Sequence, residues 1–264
     1  MKPLDWRAPP SGSSFASGVS DMWMDMWNCV REILGLCDYY VLLVAVGAYL
    51  LGSINFAILI TRRVSKQDIR DVGSGNAGMT NVLRSQGKIP ALFTTLGDVG
   101  KSLIACFVGG WVLKTVYPIL PTTPDLSDYT VEITGRYLAG LFCTLGHTFP
   151  VFFGFRGGKG VLVGFGMLIA TVWRVALVAL VIFVGLVAAT RMVSLGSLCG
   201  AASAVLTTWL FGWLVDGEFR GILLLWVLLT AIVVSILFIM HRGNIQRLIN
   251  GTERKLSFGS KKEE

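Results

Sequence analysis

Seven apolar stretches, separated by short polar loops, constrain the fold of this chain more than any other feature. An α-helix needs roughly 20 apolar residues to cross the ~30 Å hydrocarbon core of a bilayer, and four of the stretches exceed that length easily. The chain is 53% hydrophobic and 15% charged, which excludes an ordinary soluble domain. We therefore predict an all-α, polytopic integral membrane protein with seven transmembrane helices. The predicted spans are residues 39–61, 89–113, 134–153, 160–173, 175–190, 193–213 and 219–240.

The stretch 160–190 is the one that decides whether six or seven spans are present. As a single helix it would be roughly 46 Å long at 1.5 Å per residue, too long for a bilayer unless steeply tilted. Trp173 suits the membrane interface, and Arg174 can extend its charge to water there. We therefore predict two short spans with a turn near these two residues.

The distribution of cations predicts the orientation of the chain. The loop 62–88 and the tail after residue 240 each contain six Lys and Arg residues, whereas the loops 114–133 and 214–218 hold one cation and five acids. Because cations accumulate on the cytoplasmic side, the N-terminus is expected outside and the C-terminus in the cytoplasm. With seven spans, the turn at 154–160 also lies on the cytoplasmic side.

The ends of the chain differ in composition from the apolar region, and we divide the chain into three parts. Residues 1–38 combine a loose Ser-, Gly- and Pro-rich tail with Trp23 and Trp27 at helical spacing. This spacing predicts an amphipathic helix in the membrane interface, with a soluble docking helix as the alternative. Residues 39–254 form the seven-helix domain, and residues 255–264 a basic, polar cytoplasmic tail.

The first of three polar clusters runs from Gly73 to Arg84, GSGNAGMTNVLR. It offers hydroxyl, amide and backbone donors and ends on a guanidinium that can bind phosphate with two parallel hydrogen bonds. A loop of this composition can also be a simple turn. Its candidate binding residues are Ser74, Gly75, Asn76, Thr80, Asn81 and Arg84.

The second cluster is the glycine turn, Gly146 to Gly160, GHTFPVFFGFRGGKG. Successive backbone N–H groups in such a turn can form an anion-binding nest, reinforced by a nearby cation and by the N-terminus of the next helix. The alternative is a tight basic loop at the membrane edge with no ligand. Its candidate residues are His147, Arg156, Gly157, Gly158, Lys159 and Gly160.

The third cluster, His241 to Glu253, HRGNIQRLINGTE, follows the last span directly. His241 and Asn244 are three residues apart on one helical face, and Arg247 extends that face. A basic tail after a last span is also ordinary cytoplasmic sequence. Because the seven-span arrangement brings all three clusters to one side of the membrane, it predicts a shared phosphate-binding site.

Two charged residues lie inside the second apolar stretch. Asp98 and Lys101 are three residues apart and share a helix face. Charges within a membrane are costly and are usually paired or functional. A catalytic role is possible for this pair, but we favour a structural ion pair near the site.

Other catalytic patterns do not compete with this interpretation. The chain has no GxGxxG that follows a predicted strand, and no Walker GxxxxGK[ST], HExxH or GxSxG. Its five cysteines are scattered without metal-ligand spacing. His147 has no acid four residues later, so the His–Asp base of many glycerolipid acyltransferases is missing. We expect neither a metal nor a cofactor.

The three clusters resemble the signature segments of the bacterial acyl-phosphate:glycerol-3-phosphate acyltransferase family (PlsY). Residues 74–84 resemble its SGNxGATNVLR motif, with Met79 in place of Ala, and residues 146–161 its GHxFPVFxxFKGGKGV motif, with Arg156 in place of Lys. Residues 241–253 resemble HRxNIxRLxxGxE without a gap. The resemblance covers roughly residues 39–254 and includes the Asp98–Lys101 pair.

This resemblance implies a seven-helix enzyme of the bacterial inner membrane with its site on the cytoplasmic side. The family moves a fatty acyl group from acyl phosphate to the 1-hydroxyl of glycerol 3-phosphate, giving lysophosphatidic acid for phospholipid synthesis. The implied partners are these two substrates and membrane lipids, with no obligate protein partner. The base is either His241 or a phosphate oxygen of a substrate. The implied glycerol phosphate ligands are Ser74, Arg84, Lys159, His241 and Asn244, with Arg247 and Glu253 in support.

Two other classes of function are considered. A transporter for a phosphorylated small anion would also use glycine loops and cations at helix ends, but it predicts an inverted repeat and binding residues near the midplane. The sequence shows no such repeat, and its cations lie at the edge. A nucleic-acid binder is disfavoured because no basic and aromatic surface stands clear of the apolar stretches.

Overall fold

The computed structural model describes residues 24, 38–116, 127–216 and 220–256, and these form an all-helical fold. Two short 3₁₀ turns, Ile69–Asp71 and Val151–Phe153, lie in the loops. The helices are α1 Asp38–Gly52, α2 Phe56–Ser65, α3 Met79–Gln86, α4 Lys88–Val116, α5 Asp128–Thr148, α6 Val161–Thr171, α7 Trp173–Thr190, α8 Val193–Phe211, α9 Arg220–Met240 and α10 Arg242–Ile249.

Within the described ranges, five helical segments are long and apolar enough to cross a membrane. They are Tyr39–Ser65, which joins α1 and α2, together with Lys88–Val116, Trp173–Thr190, Val193–Leu214 and Gly221–Met240. The remaining two predicted spans correspond to α5, which carries several charges, and to α6, which has 11 residues. Neither meets the criterion for a spanning helix by itself.

The third apolar stretch, predicted at 134–153, was placed wrongly at both ends. The helix α5 begins at Asp128, where the Ser127 hydroxyl caps it by accepting a hydrogen bond from the Thr130 N–H at 3.1 Å. Its early charge, Glu132, is tolerated because it pairs with Lys114 of α4 and with Arg136. The helix ends at Thr148, shortly before Pro150.

The stretch 160–190 divides into two helices, and the division falls at Val172, one residue before the predicted turn. Arg136 of α5 contributes to this break, because its Nη1 donates to the Ala170 carbonyl at 2.7 Å. That carbonyl belongs to the last turn of α6, where the helix offers it no partner of its own. The Arg136 guanidinium also lies 4.6 Å from the centroid of the Phe107 ring.

Small residues bring the central helices close together. A Cβ on Gly135 of α5 would lie 2.7 Å from the Gly109 carbonyl of α4, so the two backbones touch at this point. The α1–α2 segment breaks at residues 53–55, where the Asn55 side chain accepts from the Ile58 N–H at 3.1 Å and starts α2. This break faces α4, where Lys101 Nζ donates to the Gly52 and Ile54 carbonyls.

Two predictions concern residues outside the described ranges. The interfacial helix predicted within residues 1–38 lies there except for Met24 and Asp38. The polar tail predicted at 255–264 is described only as far as residue 256, where the Leu256 N–H donates to the Arg191 carbonyl at 2.8 Å.

Candidate active site

The three polar clusters meet around one cavity of about 1260 Å³. Of the residues singled out in the sequence, Gly158 and Lys101 are absent from its lining and lie behind it. The others all line it: Ser74, Gly75, Asn76, Thr80, Asn81, Arg84, Asp98, His147, Arg156, Gly157, Lys159, Gly160, His241, Asn244, Arg247 and Glu253. The prediction that separate loops converge on a shared cavity agrees with this geometry.

The first loop takes its shape from Asn81, which is buried. Its Oδ1 accepts from the Ser74 N–H at 3.0 Å, and its Nδ2 donates to the carbonyls of Ile69, Val72 and Asn76 at 3.0, 2.9 and 3.2 Å. Since its amide is fully used inside the loop, Asn81 organises the site and is not free to bind a ligand. The Arg84 guanidinium remains at the cavity wall, with one contact to the Arg254 carbonyl at 3.5 Å.

The glycine turn is folded tightly against the end of α5. The Gly157 N–H donates to the Thr148 carbonyl and the Gly158 N–H to the His147 carbonyl, each at 3.1 Å. These two N–H groups therefore cannot take part in the anion nest expected from the sequence. Gly160 has φ +82°, a left-handed conformation that favours glycine, and directs the chain into α6. The turn instead contributes the Lys159 ammonium to the cavity.

The third cluster is a hydrogen-bonded network centred on Glu253. This carboxylate accepts from Ser194 Oγ at 2.8 Å, Asn244 Nδ2 at 2.7 Å and Arg247 Nε at 2.9 Å. The other amide atom of Asn244, Oδ1, accepts from Lys159 Nζ. The network thus joins the last cluster to the glycine turn.

Burial sets the protonation of the groups in this network. Burial, together with the nearby positive charge of Arg247, lowers the pKa of Lys159 to about 8. Burial alone would raise the pKa of Glu253, but hydrogen bonds from Ser194, Asn244 and Arg247 hold it below its ordinary value. At neutral pH the site therefore contains an ammonium and an ionised carboxylate.

His241 is buried at the end of α9, and its ring orientation is defined. Its Nδ1 lies 2.8 Å from the Leu237 carbonyl, which can only accept, so Nδ1 carries the proton. The Nε2 lone pair is then available as an acceptor. Burial lowers the pKa of His241 to about 4, so the imidazole is neutral at physiological pH.

The ion pair predicted within the second stretch is present. Lys101 Nζ lies 2.9 Å from Asp98 Oδ1, and both side chains are 1% exposed. His147, expected to support the phosphate site, belongs mainly to this buried group, with Nδ1 3.0 Å from Lys101 Nζ.

Three site residues were missed in the sequence. Arg70 joins the first loop to the glycine turn by donating from Nη1 to the Phe153 carbonyl at 2.7 Å, yet it counted only as a loop cation. Ser194 lies at the start of a long apolar helix, where a lone serine gives no signal. Arg254 follows the third motif by one residue and lines the cavity.

An apolar arm extends the cavity between α6, α7, α8 and α9. On α6, α8 and α9 the positions inward of the lining include Thr171, Thr208 and Trp226, which are buried in the core. On α8 the lining runs from Val193 to Ala204, and Ala204 lies ten positions beyond Ser194, or roughly 15 Å along the helix. The cavity therefore joins a cationic end to an apolar arm about as deep as half the ~30 Å bilayer core.

Fold and site together define an integral membrane protein whose cavity suits a phosphorylated amphiphile. Residues 42–251 match the family model described as Glycerol-3-phosphate acyltransferase. A curated protein of that name from Halalkalibacterium halodurans is 41% identical over 226 residues, which cover 84% of this chain and 97% of the relative. A second, from Clostridioides difficile, is 37% identical with the same coverage. The chain belongs to the glycerol-3-phosphate acyltransferase family.

Solved structures give the same assignment. A crystal structure of PlsY (YgiH), an integral membrane glycerol 3-phosphate acyltransferase in its glycerol 3-phosphate form, aligns with a TM-score of 0.67 at 32% identity, covering 82% of this chain and 96% of that one. The lysophosphatidic acid form aligns with a TM-score of 0.64. Membership in this family supports the acyltransferase interpretation over the transporter alternative.

Proposed function

We propose that the protein transfers a fatty acyl group from acyl phosphate to the 1-hydroxyl of glycerol 3-phosphate, forming lysophosphatidic acid and inorganic phosphate. The observation that carries this proposal is the cavity itself, in which cations from three segments of the chain and an apolar arm line one space. Those cations include Arg84, Lys159, Arg247 and Arg254. Solved relatives in glycerol 3-phosphate and lysophosphatidic acid forms are consistent with such a cavity.

Glycerol 3-phosphate binds at the cationic end in this proposal. Arg84 provides a fork of donors for the phosphate and Lys159 a point charge, while Ser74, His241 and Asn244 supply hydrogen-bonding groups. Asn244 is held by Glu253, so its amide has a fixed direction. Binding of a dianion next to Lys159 raises the pKa of that ammonium again and keeps it charged.

The chemical step needs little acid–base help because acyl phosphate is a mixed anhydride with a good leaving group. The 1-hydroxyl oxygen attacks the acyl carbonyl carbon, the bond from that carbon to the phosphate oxygen breaks, and inorganic phosphate leaves. The cations stabilise the charge that develops on the phosphate and hold the reactants together. No residue forms a covalent intermediate in this scheme.

We infer that a substrate phosphate oxygen, not His241, takes the hydroxyl proton. A general base works best with a pKa near the operating pH, and burial lowers the pKa of His241 to about 4. A phosphate monoester has its second pKa at ≈ 6 and is the stronger base here. His241 then acts as a hydrogen-bonding ligand of the substrate.

The acyl chain occupies the apolar arm between α6 and α9. The arm reaches roughly 15 Å from Ser194, a depth that matches one leaflet of the bilayer. Its lining is mostly apolar or small, including Leu168, Phe183, Ala201 and Val233. An acyl phosphate from the membrane can therefore place its headgroup among the cations while its chain stays in apolar surroundings.

We also propose the seven-span topology, with the N-terminus outside, the C-terminus in the cytoplasm and the site on the cytoplasmic side of a bacterial inner membrane. Adding α5 and α6 to the five longer spans gives seven, and Arg136 satisfies a carbonyl at the break that shortens α6. The cation-rich loops then share the cytoplasmic face. The partners are the two substrates and membrane lipids, without nucleic acid or an obligate protein partner.

The test uses purified protein, labelled glycerol 3-phosphate and two donors, palmitoyl phosphate and palmitoyl-CoA. We expect lysophosphatidic acid from palmitoyl phosphate and little or none from palmitoyl-CoA. Equal use of palmitoyl-CoA contradicts the proposed donor. Uptake of glycerol 3-phosphate into liposomes without acyl transfer would favour a transporter.

A further inference from the structure

Lys101 is a fully enclosed ammonium behind the wall of the cavity. Its Nζ lies 2.9 Å from the Gly52 carbonyl and 2.7 Å from the Ile54 carbonyl, both at the break between α1 and α2. It also lies 3.0 Å from His147 Nδ1 and 5.9 Å from the centroid of the Phe56 ring. A charge so deeply buried persists only where its surroundings compensate for the lost hydration.

The three protons of the ammonium are matched by three acceptors. Hydrogen bonds to Gly52, Ile54 and His147 use all of them, while Asp98 Oδ1, at 2.9 Å but outside hydrogen-bonding geometry, supplies the opposite charge. Since Lys101 cannot accept, His147 Nδ1 must be the unprotonated nitrogen of a neutral ring. The imidazole is thereby fixed in one tautomer, with its proton on Nε2.

His147 in turn supports the glycine turn from behind. Its carbonyl accepts from the Gly158 N–H at 3.1 Å. Its Nε2 lies only 2.1 Å from the point where a Cβ on Gly158 would stand. The residue next to Gly158 is Lys159, so a shift of the imidazole moves the backbone that carries the cavity ammonium.

The same point is a junction with the first loop. The Ala77 carbonyl lies 2.6 Å from the hypothetical Cβ of Gly158, and it also accepts from Asn55 Nδ2 at 3.5 Å. Asn55 belongs to the helix break that Lys101 holds. The glycine turn, the first loop and the break therefore meet within a few ångströms of each other. Lys101 is hydrogen-bonded both to the break and to His147, which supports the turn.

We propose that Lys101 is a positioning residue: its three hydrogen bonds fix the helix break and His147, and through them the placement of Lys159 relative to the loop that carries Arg84. Lys101 does not touch the substrate. Its role rests on the proposed function, because its effect is measured as acyl transfer. Misplacement of reacting groups by about 1 Å can cost on the order of 10²-fold in rate.

The test compares Lys101→Met with Lys114→Met, a matched control on the same helix. Lys114 is 42% exposed and pairs with Glu132, away from the cavity. Because Lys101→Met leaves Asp98 without its counter-charge, the double variant K101M/D98N is made in parallel. For each variant, kcat is measured per folded, monodisperse protein molecule, and both KM values and the Tm are measured as well.

We expect kcat to fall by on the order of 10²-fold in both Lys101→Met and K101M/D98N, while Lys114→Met stays within about twofold of wild type, as expected of a partly exposed pair. A lower Tm with unchanged kcat per folded molecule would make Lys101 merely structural and overturn the proposal. An inactive wild type would contradict the proposed function instead.

A double-mutant cycle with His147→Phe tests the route of the effect. If Lys101 acts through His147, the combined variant K101M/H147F loses no more activity than the worse single variant. Losses that multiply would show independent roles and overturn the proposed route. If Lys101→Met does not fold, the cycle is run in the D98N background, where the buried charge is removed.

Discussion

Replacing Glu253 by Gln should slow the enzyme by weakening the network that orients Asn244. The substitution keeps the shape of the side chain and removes its charge. The hydrogen bonds from Ser194 and Asn244 then become bonds between neutral groups. Such bonds contribute about 0.5–1.5 kcal/mol, compared with about 1.5–3 kcal/mol for bonds to a charged group, so each weakens by roughly 1 kcal/mol.

The kinetic effect follows from how much of this loss reaches the transition state. If only the Asn244 bond matters, ~1 kcal/mol corresponds to about a fivefold loss, and if both matter, ~2 kcal/mol corresponds to about 30-fold. The Arg247 pair adds little, because its guanidinium is 42% exposed. We therefore expect kcat/KM for glycerol 3-phosphate to fall by about 5- to 30-fold.

Steady-state kinetics with palmitoyl phosphate at saturation measure this loss. The matched control is Glu132→Gln, which neutralises another ion-paired carboxylate, one that pairs with Lys114 and Arg136 near the start of α5. Glu132→Gln should leave kcat/KM near the wild-type value. Wild-type kinetics in Glu253→Gln, or an equal loss in both variants, would refute the idea that Glu253 orients the site.

Three further variants or conditions test other parts of the site. His241→Gln should keep much of the activity that His241→Ala loses, because we assign His241 a hydrogen bond and not the ~10²–10⁴-fold of a general base; a Gln variant as inactive as Ala would contradict this. The value of kcat/KM for glycerol 3-phosphate should decline as pH rises through about 8, where Lys159 loses its proton. The variant Lys159→Arg should not show that decline, because Arg stays charged. If the decline persists in Lys159→Arg, it belongs to another group. Ala204→Phe fills the inner end of the apolar arm and should shift the preferred donor from palmitoyl towards lauroyl phosphate. The control is Leu206→Phe on the lipid-facing side of α8, where Leu206 is 65% exposed, and it should cause no such shift. Identical chain-length profiles in the two variants would place the acyl chain elsewhere.

The residues of the site were predictable because chemistry and spacing agree within short segments. Gly73 to Arg84 and His241 to Glu253 each present donors on one short loop or helix, and the fold brings them to one cavity. The same reasoning could not predict that the Gly157 and Gly158 N–H groups donate to carbonyls at the end of α5. Whether a backbone N–H faces a ligand or a neighbouring helix depends on tertiary packing, which the spacing of glycines does not encode.

The predicted helix boundaries were wrong where polar residues are paired across helices. Glu132 makes the start of α5 look like a loop, since hydropathy cannot show that Lys114 and Arg136 neutralise it. The break in the first span is hidden for a similar reason. Ser53 and Asn55 stand in an apolar context, and each also forms a hydrogen bond with a residue distant in the sequence.

The fate of the donor phosphate tests the proposed reaction most directly. Palmitoyl phosphate labelled with ³²P is incubated with the protein and unlabelled glycerol 3-phosphate, and the label is measured in inorganic phosphate and in lysophosphatidic acid. Attack on the acyl carbonyl predicts that all the label appears in inorganic phosphate, mole for mole with the lysophosphatidic acid formed. Label in lysophosphatidic acid, or product formed without phosphate release, would contradict transfer from acyl phosphate.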